Sequence, residues 1–379
     1  MEIAVYGMGR LGVPLASLLS RHYTVTGIDN DTERVNELRT LQAHARSGAT
    51  NLFLEPDVDI SSDGLSFTDE PTVADLSFIV VPTPSAADGS FSSLYVEQAL
   101  SDIAKVRRKS DVAIVSTVSP GTCSRLACQY GPIVYTPSFI ALGSVIHDLS
   151  HPHFLLLGGL DIGSPVVYSP VMEKVIEVQS KICDAPRHIA EFEEIELLKL
   201  SVNAALGTKI SLANQLGRLF EAYGVDPKAV EILGEDQRLG TGYWTPGSPL
   251  SGPCLPRDGR ALQAAAYHQG MTLPITEAVD DVNAHLLNHI LSKVLKDSPA
   301  SVGILGLAYK YGTDVTEASP GMWLLKQMLD REIHVRVYDE AIPSGDDLKD
   351  VVKCEVLVVT LREYEHLVEP ERSSVYLWR

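Results

Sequence analysis

Glu2-Ile3-Ala4-Val5-Tyr6-Gly7-Met8-Gly9-Arg10-Leu11-Gly12 is the stretch whose reading decides the fold. An apolar run that ends in glycine has the character of a buried parallel strand. Helical spacing follows at once, from Leu11 to Leu19. Between a strand and a helix the three glycines have separate uses: Gly7 permits a tight turn, Gly9 lets the backbone approach a pyrophosphate, and Gly12 allows close helix packing. The helix N-terminus then offers N–H donors to the phosphates. A second strand, Tyr23 to Ile28, ends at Asp29, 22 residues after Gly7. A carboxylate there accepts hydrogen bonds from a ribose diol and repels a 2′-phosphate, which favours NAD over NADP. Arg34 stands nearby and pulls against that preference. The same glycines also fit a turn that binds nothing, and the strand–turn–helix context is what argues for a cofactor.

Outward from this motif, strand-like runs recur at Leu76–Val81, Val112–Ser116, Ile133–Tyr135 and Phe154–Gly158. Strands alternating with helical stretches indicate an α/β fold with a parallel sheet covered on both faces. After about residue 188 the pattern changes. Ile189 to Tyr223 contains no proline and keeps helical spacing, which predicts one very long helix or two joined ones. A loop rich in Gly and Pro runs from Gly240 to Pro256, and helical stretches resume over Arg260–His268 and Thr276–Lys296. Strand character returns at Val302–Gly306, His334–Tyr338 and Glu355–Thr360. The expected organisation is an N-terminal Rossmann-type NAD-binding domain (1–188), a central all-helical domain with a long helix (189–297), and a smaller C-terminal Rossmann-like α/β domain (298–379).

Composition narrows the function classes. With 45% hydrophobic and 21% charged residues the chain has the balance of a soluble globular protein. No apolar run reaches the roughly 18 residues of a membrane span. The chain enters its first strand without the basic and apolar regions of a signal peptide. Five cysteines, an odd number and mostly far apart, fit a reducing cytoplasm better than a disulfide framework. A formal net charge of −18 argues against nucleic acid as a partner, so an anionic ligand needs a local cluster of donors and cations.

Two segments carry candidate chemistry. In Ser251-Gly252-Pro253-Cys254-Leu255-Pro256-Arg257-Asp258 a cysteine lies between prolines, with a cation and a carboxylate three and four residues on. Nearby positive charge favours the thiolate, and a thiolate attacks an aldehyde well. The alternative is a small buried hydrophobe, as free cysteines often are. Lys199 and Asn203 are four residues apart, on one face of the long helix and inside the apolar stretch Ile195–Leu206. They could hold an alkoxide or oxyanion, or belong to a solvated helix face.

Taken together, these segments resemble the UDP-glucose/GDP-mannose dehydrogenase family through nearly the whole chain. Matching stretches appear in order: Gly7–Gly12, Val81–Pro84, Ser116–Thr122, Leu198–Leu200 with Asn203, Lys209–Ser211 with Asn214, Arg238–Gly240, Cys254–Asp258 and Gly306–Lys310. The resemblance implies an enzyme that oxidises the C6 primary alcohol of a nucleotide sugar to a carboxylate, reducing two NAD. UDP-glucose is the default substrate, and the enzyme acts as a homodimer through its central domain. Carried over, Cys254 attacks the intermediate aldehyde to give a thiohemiacetal, which the second oxidation turns into a thioester. Lys199 and Asn203 stabilise the oxyanion, while Thr117 and Asp258 position water or relay protons. Gly7, Gly9, Leu11, Gly12, Asp29, Arg34, Thr83 and Thr117 face the cofactor. Phe139, Lys199, Asn203, Arg238, Tyr243 and Lys310 face the nucleotide sugar, Arg238 from across the dimer.

The chain also departs from that family. An Asn-Pro-Glu-Phe-Leu segment with a second glutamate four residues later is usual; here it reads Thr136-Pro137-Ser138-Phe139-Ile140, with Leu142 at the second position. A serine hydroxyl is no base near neutral pH without an activating partner. Phe154 stands where an arginine is common, Pro249 and Ser251 where glycines are, and Glu317 where an arginine helps bind anionic ligand. The expectation is a divergent member with an altered substrate, a slow hydrolytic step or an aldehyde product.

Other signals point elsewhere. His147, His151 and His153 cluster without a completing cysteine or carboxylate pair, so no metal is expected. His285 and His289 share a helical face, which suits a structural or exposed pair. Cys123 and Cys128 on one helix point apart, and Asp346-Asp347 reads as a solvated turn. Two competing functions remain in view. A two-electron hydroxyacid dehydrogenase needs neither Cys254 nor a third α/β region, and a non-catalytic nucleotide-sugar binder does not need the cysteine, lysine, asparagine and aspartate together.

Overall fold

The computed structural model describes residues 1–47, 55–106, 111–159, 169–343, 346–369 and 373–377. The chain divides into two compact units, Met1–Lys199 and Leu200–Arg379, and the division falls within one helix.

The first unit is built on strands β1 (Glu2–Tyr6), β2 (Thr24–Ile28), β3 (Leu65–Thr68), β4 (Leu76–Ile79), β5 (Asp111–Ile114), β6 (Ile133–Tyr135), β7 (Leu155–Gly158) and β8 (Arg187–Ala190). Its helices are α1 (Gly12–Ser20), α2 (Thr32–Arg46), α3 (Leu94–Val106), α4 (Thr122–Tyr130), α5 (Val145–Ser150) and α6 (Pro170–Gln179). The sheet order is β3-β2-β1-β4-β5-β6-β7-β8, parallel throughout except where β6 meets β7. Alternation along β1 explains the two covered faces. Ile3 and Val5 enter one core with Leu19, Leu38 and Val175, whereas Ala4 and Tyr6 enter the other with Ile103, Ile114 and Leu126. Chain order reverses on either side of β1, where open α/β sheets bind ligands beyond the strand ends.

The long helix α7 (Phe192–Ala222) has 31 residues and is unbroken. It begins later than its periodicity suggested, because residues 187–190 pair with β7 as the edge strand β8. β3 and β8, the two edge strands, gave no strand signal because Leu65-Ser66-Phe67-Thr68 and Arg187-His188-Ile189-Ala190 are not continuous apolar runs.

The second unit contains the rest of α7, then α8 (Leu255–His268), α9 (Pro274–Val294), β9 (Ser301–Leu305), α10 (Pro320–Leu329), β10 (His334–Tyr338), α11 (Leu348–Val351), β11 (Val356–Val359) and β12 (Ser374–Tyr376). Its four-stranded parallel sheet runs β10-β9-β11-β12. One core gathers Leu286, Ile290 and Val294 of α9 with Ile304, Leu324, Met328 and Val358. Asp346 corrects one expectation: its carboxylate accepts from Arg336 Nη1 and from the Val337 amide, both at 3.0 Å, so it pins β10 rather than lying in a solvated turn. No helix among the described residues is long and apolar enough to cross a membrane.

Candidate active site

The glycine turn after β1 shows why each position is glycine. Gly7 has φ +97°, and a Cβ there would meet the Val80 carbonyl oxygen at 2.6 Å. A Cβ on Gly12 would meet the Gly7 carbonyl oxygen at 1.7 Å. A Cβ on Gly9 would meet nothing within 4 Å, so the open side of the turn lies there. No side chain caps α1, since Leu11 at its N-cap has no group to accept with. An open turn followed by an uncapped helix N-terminus fits a pyrophosphate. Asp29 holds this turn: its carboxylate accepts from the Met8 amide at 2.7 Å and from the Asp31 amide at 3.0 Å. Arg34 donates from Nε to the Met8 carbonyl at 3.0 Å and pairs with Glu37 at 2.6 Å, so its observed contacts are with the turn and its own helix.

Four further expected residues lie in the same unit. The buried Thr83 hydroxyl donates to the Thr117 carbonyl at 2.7 Å, joining the segments that follow β4 and β5. Lys199, 6% exposed, sets its ammonium 4.3 Å from the centre of the Phe139 ring, a cation–π contact. Phe139 is in turn met edge-on by Phe154, with ring centres 5.4 Å apart. The aromatic that replaces the usual arginine thus supports the ring beneath the lysine. Ser138 is half-buried and Leu142 buried.

Glu196 went unnoticed in the sequence reading, though a carboxylate in the apolar stretch just before Lys199 was a signal. It is fully buried, and its oxygens accept from the Gly121 and Cys123 amides at 2.6 and 2.7 Å, at the start of α4. Burial pushes its carboxyl up to about 7, against the lowering effect of those bonds. Cys123 beside it is buried and its thiol is raised, chiefly by burial and then by the glutamate. Cys128 is exposed, so the two cysteines of α4 do point apart.

In the second unit, Cys254 is exposed and occupies the N-cap of α8, where the positive end of the helix favours an anion. One turn on lies Asp258, 1% exposed; its backbone amide donates to the Cys254 carbonyl at 2.9 Å. Asn203 donates its side-chain amide to the Asp258 carboxylate at 2.6 Å, and Arg257 Nε stands 3.8 Å from the other oxygen. Asp258 therefore ties Asn203 of α7 to the helical turn that begins at Cys254.

The loop before Cys254 is fastened by side chains from two helices. Lys209 donates to the carbonyls of Leu239, Gly240 and Thr241 at 2.9–3.3 Å. Asn214 bonds the backbone of Gly247 and Ser248, and Asn283 bonds both polar groups of Leu250. Such bonds satisfy backbone groups that a non-regular segment leaves open. Arg238 is exposed and ion-paired with Asp236 at 2.6 Å, and Tyr243 is exposed at φ +60°. Among the described residues, neither is hydrogen-bonded or ion-paired to Cys254, Asp258 or Asn203.

Gly252, at φ +84°, lets the ring of Tyr309 lie against the loop; a Cβ there would meet that ring at 2.6 Å. The Gly252 amide also donates to the Glu317 carbonyl at 3.1 Å. The segment bearing Lys310, itself exposed, thus reaches the cysteine loop. That segment repeats the first glycine turn. A Cβ on Gly321 would meet the Gly306 carbonyl oxygen at 2.1 Å, as Gly12 meets Gly7. Asp339 takes the place of Asp29, accepting from the Leu307, Ala308 and Ala341 amides at 2.8–3.0 Å. One difference separates the two turns: Ser319 caps α10, its hydroxyl accepting from Gly321 and Met322 and donating to the Leu307 carbonyl at 2.6 Å.

The histidines carry no comparable site. His147 and His151 stack on each other at 4.8 Å, and among the described residues no group of three or more His, Cys, Asp or Glu is gathered as a metal needs. His289 lies 3.4 Å from Glu221.

Residues 1–175 match the NAD binding domain of the UDP-glucose/GDP-mannose dehydrogenase family, and residues 193–285 match its central domain. A GDP-mannose 6-dehydrogenase of Pseudomonas putida is 26% identical over 372 residues, covering 90% of this chain and 81% of its own. A UDP-glucose 6-dehydrogenase of Rickettsia conorii is 27% identical over 357 residues, covering 89% and 81%. Among solved structures, a UDP-glucose dehydrogenase from the hyperthermophilic archaeon Pyrobaculum islandicum is similar at TM-score 0.87 and 26% identity, over 100% of this chain and 94% of that one.

Proposed function

This chain belongs to the UDP-glucose/GDP-mannose dehydrogenase family, and on that premise we propose that it oxidises C6 of a nucleotide sugar through Cys254, with UDP-glucose the default substrate. The observation that carries the reading is the cluster at the head of α8: an exposed thiol one turn from a buried carboxylate, which an asparagine of α7 holds. UDP-sugar chemistry is favoured by the likeness to the Pyrobaculum enzyme, which spans the whole chain.

The residues present fit NAD: Gly7, Gly9 and Gly12 with the uncapped start of α1 suit its pyrophosphate, and Asp29 its adenosine ribose. When bound, NAD supplies the acceptor for hydride, one molecule for each oxidation. The Cys254 thiolate adds to the C6 aldehyde, forming a C–S bond and a thiohemiacetal oxyanion. Lys199 and Asn203 stabilise that oxyanion. Loss of the second hydride leaves a Cys254 thioester. Water cleaves the C–S bond, returning the thiolate, with Thr117 and Asp258 placing the water and receiving its proton. Overall, one alcohol, one water and two NAD give one carboxylate, two NADH and three protons.

Ser138 and Leu142, standing at the two usual glutamate positions, favour a second reading of the last step. Without the usual glutamate to assist Asp258, the thioester hydrolyses slowly, or the aldehyde is released. Phe139, Tyr243 and Lys310 line the sugar nucleotide in either case. Arg238 serves the partner's site in a homodimer, working in a reducing cytoplasm, with the central helical region as the dimer contact. NADH production against a panel of UDP-, GDP- and dTDP-sugars, with intact-mass detection of an adduct on Cys254, tests the proposal. No NADH and no adduct with any sugar would overturn it in favour of a non-catalytic binder.

A further inference from the structure

A carboxylate with no access to water is costly unless fixed donors replace its solvent. Glu196 meets that condition inside the first unit, with the Gly121 and Cys123 amides on its two oxygens. It projects from the first turns of α7, three residues before Lys199. The amides it holds begin α4, and the segment feeding α4 runs from Thr117 to Gly121. That segment is gripped at two more points: Thr83 Oγ1 donates to the Thr117 carbonyl at 2.7 Å, and the Phe91 amide donates to Ser119 Oγ at 2.8 Å. Of these three ties, only the glutamate reaches the helix that carries the lysine.

We propose that Glu196 is a positioning residue for the oxidation, fixing the Thr117 segment against α7 so that Thr117 and Lys199 keep one spacing through both oxidations. This rests on the function proposed above. Glu196 acts through the loop, because its burial keeps it from any substrate. The same bonds close the N-terminus of α4, leaving the start of α1 as the place for the cofactor's phosphates. The titratable groups that bear on the carboxylate are the Cys123 thiol from α4 and Glu193 from its own helix. Protonation makes one oxygen the poorer acceptor, so one of the two amides is released as the acid forms.

The test begins with wild-type turnover on the sugar panel. If no sugar gives NADH, the functional reading fails whatever Glu196 does. With turnover established, Glu196→Gln lowers kcat by about 10- to 100-fold while KM for NAD stays within about threefold, since misplacement acts on the reacting geometry. The kcat–pH profile of the wild type bends near neutrality, and that bend is missing from the glutamine variant. Glu196→Asp, which keeps the charge, recovers part of kcat. An unchanged kcat and an unchanged pH profile in Glu196→Gln overturn the proposal. Should that variant not fold, amide exchange in the wild type decides. Protection of one of the two amides, Gly121 or Cys123, falls about tenfold more than intrinsic exchange accounts for as pH drops from 8 to 6, and constant protection of both overturns the idea.

Discussion

The side-chain amide of Asn203 donates to the carboxylate of Asp258 at 2.6 Å, joining α7 to the first turn of α8. Asp258 is 1% exposed, so it depends on fixed donors in place of water. Asn203→Ala removes one donor from a buried charge and destabilises the protein by about 1.5–3 kcal/mol in urea unfolding. It also lowers kcat/KM at least about tenfold, because the same turn carries Cys254. A loss of stability below about 0.5 kcal/mol would mean that water replaces the amide.

The two outer glycines of the first turn and the middle one respond differently to a methyl group. Gly7→Ala places a Cβ 2.6 Å from the Val80 carbonyl oxygen at φ +97°, so the protein loses several degrees of Tm or does not fold. Gly9→Ala meets nothing in the protein and leaves Tm within about 2 °C, yet NAD binding weakens at least about tenfold. Thermal melts and cofactor titrations of both variants check the contrast. Tight NAD binding by Gly9→Ala would place the pyrophosphate elsewhere.

Asp29→Asn keeps an oxygen for the Met8 amide and removes the charge that repels a 2′-phosphate. The ratio of kcat/KM for NAD over NADP is expected to fall by about tenfold, or about 1.4 kcal/mol. An unaltered ratio would transfer the discrimination to another group.

Ser138→Glu returns a carboxylate to the segment whose next residue, Phe139, carries Lys199 on its ring. Breakdown of the Cys254 thioester is expected to quicken by about 10- to 100-fold. Rapid-quench single turnovers with intact-mass readout measure it. No acceleration would show that the missing glutamate does not limit the reaction.

Stability should depend on pH through Glu196. Its value is raised by burial, so the folded state holds the proton more tightly than the unfolded chain does. The contribution is whole below the ordinary carboxyl value and is lost as pH rises through about 7. It amounts to about 3 kcal/mol. Asp59 and Glu97 have lowered values and lose their contributions only in acid, so they do not mask the effect. Denaturation from pH 5 to 8 should show a falling wild-type curve and a flatter one for Glu196→Gln.

How legible all this was from sequence varied with the physics of each element. β1, the glycine turn and β9 could be read because buried parallel strands are short apolar runs with a glycine at the end. β8 could not, since Arg187-His188-Ile189-Ala190 is an edge strand with polar side chains outward, and its last residues blended into the periodicity of α7. Cys254, Asp258 and Asn203 were legible as residues from local pattern, with roles supplied by the family resemblance, and the contact of Asn203 with Asp258 is a fact of packing between helices that no spacing encodes. Glu196 was hidden because a buried carboxylate looks in sequence like any glutamate in the first two turns of a helix. Its partners lie more than 70 positions away.

Ser319 gives the two glycine turns different fates. In the first unit the turn stays receptive; in the second the hydroxyl plugs the same spot from within. A molecule with two roles for nucleotides faces the hazard of mistaken seating, in which abundant cofactor crowds out a scarcer sugar conjugate. On the function proposed above, a capped α10 would remove that rivalry at its source.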